Sequence, residues 1–228
     1  PEDNTLTKAL LELLHLMQIY KEKTIKPTNF LKLFYCNFTS FRPKQQLDSQ
    51  EVWTLLSNKV LEETCTPINH NKSFTSNIHK KGFKQIAQYN NNKTSLWNDL
   101  FQGVTLQILV CQNCNNRTYT FETFYNLSIN ICNNVVKSLQ EYFTKEVTDE
   151  IDCEHCKKKH KHVKFIKFYK LPKFLVLSLN RYNNLGQKML SKIDINTNIM
   201  LSHNILYENK NNIELVLSGH LNHFGSID

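Results

Sequence analysis

The sequence predicts an α+β fold, with helices first and a mostly antiparallel sheet region after them. Three observations carry this. Leu6, Ala9, Leu10, Leu13, Leu14 and Met17 recur at helical spacing near the N-terminus. From Leu96 onward, short runs rich in β-branched and aromatic residues alternate with turn residues. Two C-x-x-C pairs, Cys111–Cys114 and Cys153–Cys156, stand at the ends of such runs.

The first helix is predicted over residues 5–20, with Asn4 or Thr5 as its cap. A second, shorter helix is predicted after Pro27, around TNFLKLFY. The third is better marked. Asp48 stands three residues before Glu51, the spacing of a capping box, and Val52, Leu55, Leu56 and Val60 form the face to be buried. Residues 66–96 are polar and rich in Asn, Lys and Ser, and read as an insertion or mobile loop with one short helical turn. VTLQILV, RTYTFETF, YNLSINI, HVKFIKFY, FLVLSLN and IELVLSG then read as strands, interrupted by a helix over KSLQEYFTK.

The chain has 228 residues and is 40% hydrophobic, enough for one large domain or two small ones. No apolar run approaches the ~18 residues of a membrane span, and no signal peptide is visible. Pro1 in place of an initiator methionine suggests a cut or processed N-terminus. The net charge of +8 permits nucleic-acid or acidic partners without demonstrating either, because lysine is used heavily throughout. Seven cysteines, an odd number that includes two C-x-x-C pairs, argue against a secreted disulfide framework. A reducing compartment, cytoplasm or nucleus, is expected.

Cys111, Cys114, Cys153 and Cys156 offer four thiolates, the soft tetrahedral set that zinc takes in structural sites. The competing reading is four unmetallated thiols. His155, His160 and His162 flank the second pair and are available as substitute ligands, although a solvated basic tract accounts for them. Cys36 follows an aromatic run, Cys65 ends a helix and Cys132 lies near a strand end, so none is expected to be a nucleophile.

Several boxes in order along the chain resemble the ubiquitin-specific proteases, the cysteine-protease class of deubiquitinases. They are QQLDSQEVW at 45–53, LFQGVTLQILVCQNC, FETFYNLSINI, CEHC, KLPKFLVLSLNRY and LVLSGHLNHFGSID. The resemblance implies a papain-like hand of thumb helices and antiparallel palm and fingers strands, with a zinc ribbon at the fingertips. Thumb would occupy about 1–65 and a polar insertion 66–96. Fingers would occupy about 97–162 and palm about 163–228. It further implies ubiquitin and ubiquitinated proteins as partners and disfavours nucleic acid; the lack of a long apolar run already gives the expectation of no membrane.

By the same resemblance, Asp48 and Gln46 hold ubiquitin's C-terminal tail, and Tyr182 and His223 line the tail channel. Asp48 would serve as helix cap as well. The family's nucleophilic Cys box has no counterpart here, and its catalytic His would follow shortly after Asp228. The expectation is therefore a segment with no catalytic residue of its own, from an active deubiquitinase. The alternative is an inactive, ubiquitin-binding member of the same family. His220 is expected to be a structural histidine within the last strand.

Overall fold

The computed structural model describes residues 5–21, 24–44, 46–181, 189 and 192–222. In chain order come α1 (Leu6–Ile19), α2 (Thr28–Asn37), α3 (Ser49–Thr64), β1 (Thr66–Pro67), α4 (Asn77–Tyr89), β2 (Lys93–Thr94), α5 (Leu96–Phe101) and β3 (Gly103–Cys111). They are followed by β4 (Arg117–Phe124), β5 (Leu127–Asn130), α6 (Val135–Tyr142), β6 (Glu146–Val147), β7 (Ile151–Asp152) and β8 (Lys159–His160). The last elements are β9 (His162–Lys170), β10 (Leu177–Asn180), β11 (Asn198–Leu201), a 3-10 turn at His203–Ile205 and β12 (Ile213–Val216). The chain forms two compact units. One comprises Pro1–Ile68 with Lys93–Asn98, the other Asn69–Asn92 with Asp99–Asp228.

The first unit is helical. Thr5 caps α1, its hydroxyl accepting from Lys8 N–H at 3.2 Å. Glu63, in the last turn of α3, takes more of the N–H groups that a helix start leaves over. Its carboxylate accepts from Leu6 N at 3.3 Å, Thr7 N at 2.8 Å and Thr7 Oγ1 at 2.6 Å. Leu6, Phe34 and Phe41 form the buried core, with Phe34 and Phe41 stacked at 5.7 Å. Val52, Leu55 and Leu56 of α3 pack against them, and Val60 is buried as well. The predicted α1 stripe is only partly used. Leu6 and Ala9 are buried, while Leu14 and Met17 remain 46% and 54% exposed, because the core gathers around the first turn of the helix.

The second unit is built on an antiparallel sheet of order β4-β3-β9-β6. β3 pairs with β4 from Gly103↔Phe124 to Val110↔Arg117, and with β9 out to Cys111↔His162. β5 and β10 form a separate parallel pair, a departure from the antiparallel expectation. β5 buries Leu127 and Ile129 and exposes the residues between, the period of a one-faced strand. These pack with Val135, Leu139, Phe143 and Phe168 into the larger core. Asn134 starts α6 by accepting from Lys137 N–H at 2.8 Å.

Residues 77–89 correct the sequence reading. They form a regular helix rather than a loop with a single turn, capped by Ser76, whose hydroxyl accepts from His79 N–H. Ile78 and Ile86 join the cluster around Val104, Leu106 and Phe121. Gly82 lies between them, and a Cβ there would stand 2.8 Å from the Phe121 ring. The glycine admits the ring, so the contact face of α4 contains a residue that reads as a helix breaker.

Candidate functional site

Two hairpin turns carry the cysteines. Cys111 ends β3, and Cys114 lies in the turn to β4. Cys153 and Cys156 lie in the turn between β7 and β8, which pair at Ile151↔His160 and Asp152↔Lys159. One turn therefore crowns long strands and the other a two-residue hairpin.

The two turns share one backbone plan. Cys111 N donates to Asn116 O at 3.0 Å, and Asn115 N to Cys111 O at 2.9 Å. Cys153 N donates to Lys158 O at 3.0 Å, and Lys157 N to Cys153 O at 2.9 Å. Asn115 and Lys157, each following the second cysteine of its pair, take left-handed φ values of 58° and 56°. Asparagine enters that region readily, and lysine does so here at a cost that the turn imposes.

This repetition brings the four sulfurs together, all within 4.8 Å of one another. Cys111 Sγ stands 4.0 Å from Cys156 Sγ, and Cys114 Sγ 3.7 Å from Cys153 Sγ. Four sulfurs at ~2.3 Å from a central ion would have tetrahedral edges of about 3.8 Å. The donor set and its spacing fit a divalent ion such as zinc.

The surroundings prepare the sulfurs for that charge. Cys156 N–H donates to Cys153 Sγ at 3.5 Å, and Asn113 Nδ2 donates to Cys156 Sγ at 3.5 Å. The Cys156 N–H outweighs burial and, with the His155 N–H and the neighbouring thiols, lowers the Cys153 pKa to about 6. The Asn116 N–H works in the same direction on Cys114, but the Cys156 sulfur, burial and the other two sulfurs push that thiol up to about 12. Adjacent sulfurs cannot all ionise without a cation between them.

Among the described residues, the histidines beside the second pair stay outside this cluster. His162 is not part of a solvated tract. It is buried in β9, its Nδ1 placed 2.9 Å from His160 O, and its N–H donates to Thr148 Oγ1 at 3.2 Å. His220 is exposed and lies beyond β12, which ends at Val216, so it is not a strand histidine. Cys132 donates to Glu141 Oε2 at 2.6 Å, and that carboxylate raises its pKa, which disfavours the thiolate.

Asp48 is the N-cap of α3. Its Oδ1 accepts from Gln50 N at 2.7 Å and Glu51 N at 3.2 Å. Gln46 is exposed two residues earlier. Tyr182 and His223 lie outside the described residues. The site residues that sequence reasoning missed are Asn113, Asn115 and Lys157. Asparagine after the first pair was the available signal, and nothing marked the lysine.

A helical unit followed by an antiparallel sheet with four cysteines at its tip defines the class, and comparison with known proteins agrees. The family model described as ubiquitin carboxyl-terminal hydrolase matches residues 1–228, and the chain belongs to that family, in its ubiquitin-specific protease branch. Among its relatives is ubiquitin carboxyl-terminal hydrolase Usp2 of Drosophila melanogaster, 25% identical over 207 residues, which cover 84% of this chain and 22% of the relative. Another is ubiquitin carboxyl-terminal hydrolase 4 of Saccharomyces cerevisiae strain YJM789, 30% identical over 219 residues, covering 80% of this chain and 23% of the relative. The chain thus spans less than a quarter of these relatives.

The fold matches a SAGA Ubp8/Sgf11/Sus1/Sgf73 module bound to monoubiquitin with a TM-score of 0.65 at 20% identity, over 90% of this chain and 44% of that one. A further structure of that module gives 0.64 at 22% identity, over 98% and 48%.

Proposed function

We propose that this chain is the internal part of a thiol-dependent deubiquitinase that hydrolyses the bond after the C-terminal glycine of ubiquitin. The observation that carries the reading is the family match along all 228 residues, joined to a four-cysteine tip of metal-binding dimensions. The nucleophilic Cys and the base His come from sequence outside this segment. The thiolate attacks the glycine carbonyl carbon, the amine leaves with a proton from His, and water then cleaves the thioester. Zinc, held by Cys111, Cys114, Cys153 and Cys156, is structural and supplies no chemistry to the reaction.

The helical unit acts as thumb, the cysteine-tipped strands as fingers, and the strands after about residue 163 as palm, with 66–96 inserted between thumb and fingers. Ubiquitin and ubiquitinated proteins are the partners, in cytoplasm or nucleus. Among the described residues no helix is long and apolar enough to cross a membrane.

Asp48 serves two ends. One oxygen, Oδ1, caps α3. The second is offered to the cationic tail of ubiquitin, where a charge-assisted bond is strong. Gln46, Tyr182 and His223 are assigned to the same tail channel.

The test is cleavage of a ubiquitin–fluorophore conjugate by the polypeptide that contains this chain. Thiol-dependent turnover is expected. Ubiquitin binding with no turnover would instead make the protein an inactive binder. Asp48→Ala should lower stability by ~1 kcal/mol through the cap and also weaken ubiquitin binding. A lower melting temperature at unchanged affinity would leave only the cap.

A further inference from the structure

From Thr64 to Asn98 the chain carries five lysines and no carboxylate. In the sheet-bearing unit, part of this stretch folds into a groove of about 810 Å³ beside α4. Its lining includes His70, Lys72, Phe74, Lys80, Phe83 and Lys84. Gly82 faces Phe121 on the sheet side, while Phe83 contributes to the groove.

The groove combines an apolar floor with a cationic rim. Phe74 and Phe83 lie 5.2 Å apart at 46°, and His70 meets Phe83 edge-on at 6.1 Å. Lys72 Nζ sits 5.4 Å from the Phe83 ring centroid. Lys80 and Lys84 are exposed one helical turn apart. Among the described residues no carboxylate pairs with Lys72, Lys80 or Lys84. The rim cations repel one another when the groove is empty, and an anionic occupant removes that repulsion.

We propose that this groove binds an acidic peptide segment, with carboxylates set around an apolar side chain, carried by the protein to which ubiquitin is conjugated. The proposal rests on the deubiquitinase reading for the identity of the occupant. Charge complementarity selects an anion. The two floor rings, tilted and half-buried, suit an apolar anchor better than a row of stacked bases. Lys80 and Lys84 stand about 6 Å apart along the helix axis. Side chains two residues apart on an extended peptide stand at a similar ~6.6 Å. The groove would therefore select conjugates by a feature outside ubiquitin.

The experiment is fluorescence anisotropy on the full-length protein with a labelled peptide of alternating glutamate and leucine. A lysine-for-glutamate peptide and a thymidine oligonucleotide serve as comparisons. The acidic peptide should bind best, more weakly at 0.5 M salt than at 0.05 M, and about tenfold more weakly to the Lys80→Glu/Lys84→Glu double variant. Both positions are exposed, so the variant should keep the parent's far-ultraviolet spectrum. It should also keep its turnover of a ubiquitin–fluorophore conjugate, in which no protein is attached to ubiquitin. Unchanged peptide affinity in the folded double variant overturns the proposal, as does tighter binding of the oligonucleotide, which would make this a phosphate-binding surface. Peptide binding that holds in a protein unable to cleave ubiquitin–fluorophore supports the groove and removes the deubiquitinase reading instead.

Discussion

The helical unit and the cysteine tip are ordered in different ways. Around Phe34 the order comes from bulk: Leu6, Phe34 and Phe41 are buried, and a ring of half-buried aromatic and aliphatic side chains packs on them. At the tip the second hairpin has two residues per strand, and its Ile151 is 37% exposed. There is too little apolar surface there to fix a backbone whose ordering costs ~1–2 kcal/mol per residue. Four sulfurs replace the missing core. The comparison teaches that the same chain gathers a buried core where side chains can meet, and sets four sulfurs at metal-binding spacing where only turns meet.

The largest effect should come from attacking the sulfurs. Removing the metal with a chelator, or making Cys153→Ser, is expected to abolish amide protection through 111–116 and 148–160. The helices α1–α3 should stay protected. Cys153 is the informative choice because it is buried and receives the Cys156 N–H. Hydrogen–deuterium exchange, read peptide by peptide, separates the regions. Equal protection of the tip with and without metal would show that its backbone bonds hold it unaided, and the contrast would collapse.

The reverse experiment attacks bulk. Phe34→Ala removes a ring that contacts Phe30, Tyr35, Phe38 and Phe41. A loss of ~3–5 kcal/mol is expected for such a core aromatic. It should appear in denaturant unfolding followed by a probe in the helical unit, while metal affinity at the tip is unchanged. A loss below ~1 kcal/mol would mean that the remaining rings close the gap.

The two kinds of order were not equally legible. Helical spacing and caps at Thr5 and Asp48 placed α1 and α3 to within a residue or two, because local signals and packing agree there. The long strands β3, β4 and β9 were equally plain from their apolar and aromatic runs. The cysteine spacing announced a four-sulfur cluster. What stayed hidden depends on distant partners. α4 was obscured because Gly82 is explained only by Phe121, a residue 39 positions later that needs its space. β7 and β8 are too short to show a period, and they exist as the flanks of a turn. His162 sits in a lysine-rich run, yet its pairing opposite Cys111 carries it inside. The ubiquitin-tail role proposed for Asp48 came from the resemblance alone, since a cap is all that its local sequence requires.

A smaller effect than that of Phe34 tests whether burial alone orders the helical unit. Glu63 contributes electrostatically. Burial raises its pKa, but the Thr7 hydroxyl, the Thr7 and Leu6 N–H groups and Lys59 outweigh that, so the carboxyl is held below its ordinary value. A carboxyl with a depressed folded pKa adds stability above its unfolded value, and that stability fades as pH falls through the folded one. The Glu63 contribution should therefore be complete at pH 6–7 and decline below about pH 4.5. Glu63→Gln keeps the shape and removes the charge. It should cost ~1.5 kcal/mol at pH 7, the lower end of the range for hydrogen bonds to a charged group. The gap between parent and variant should close on acidification, because the parent then loses what the variant never had. Chemical unfolding at pH 7, 5 and 3 gives the curve. A difference that stays constant with pH would assign the effect to packing, and Glu63 would join the side of the comparison that Phe34 represents.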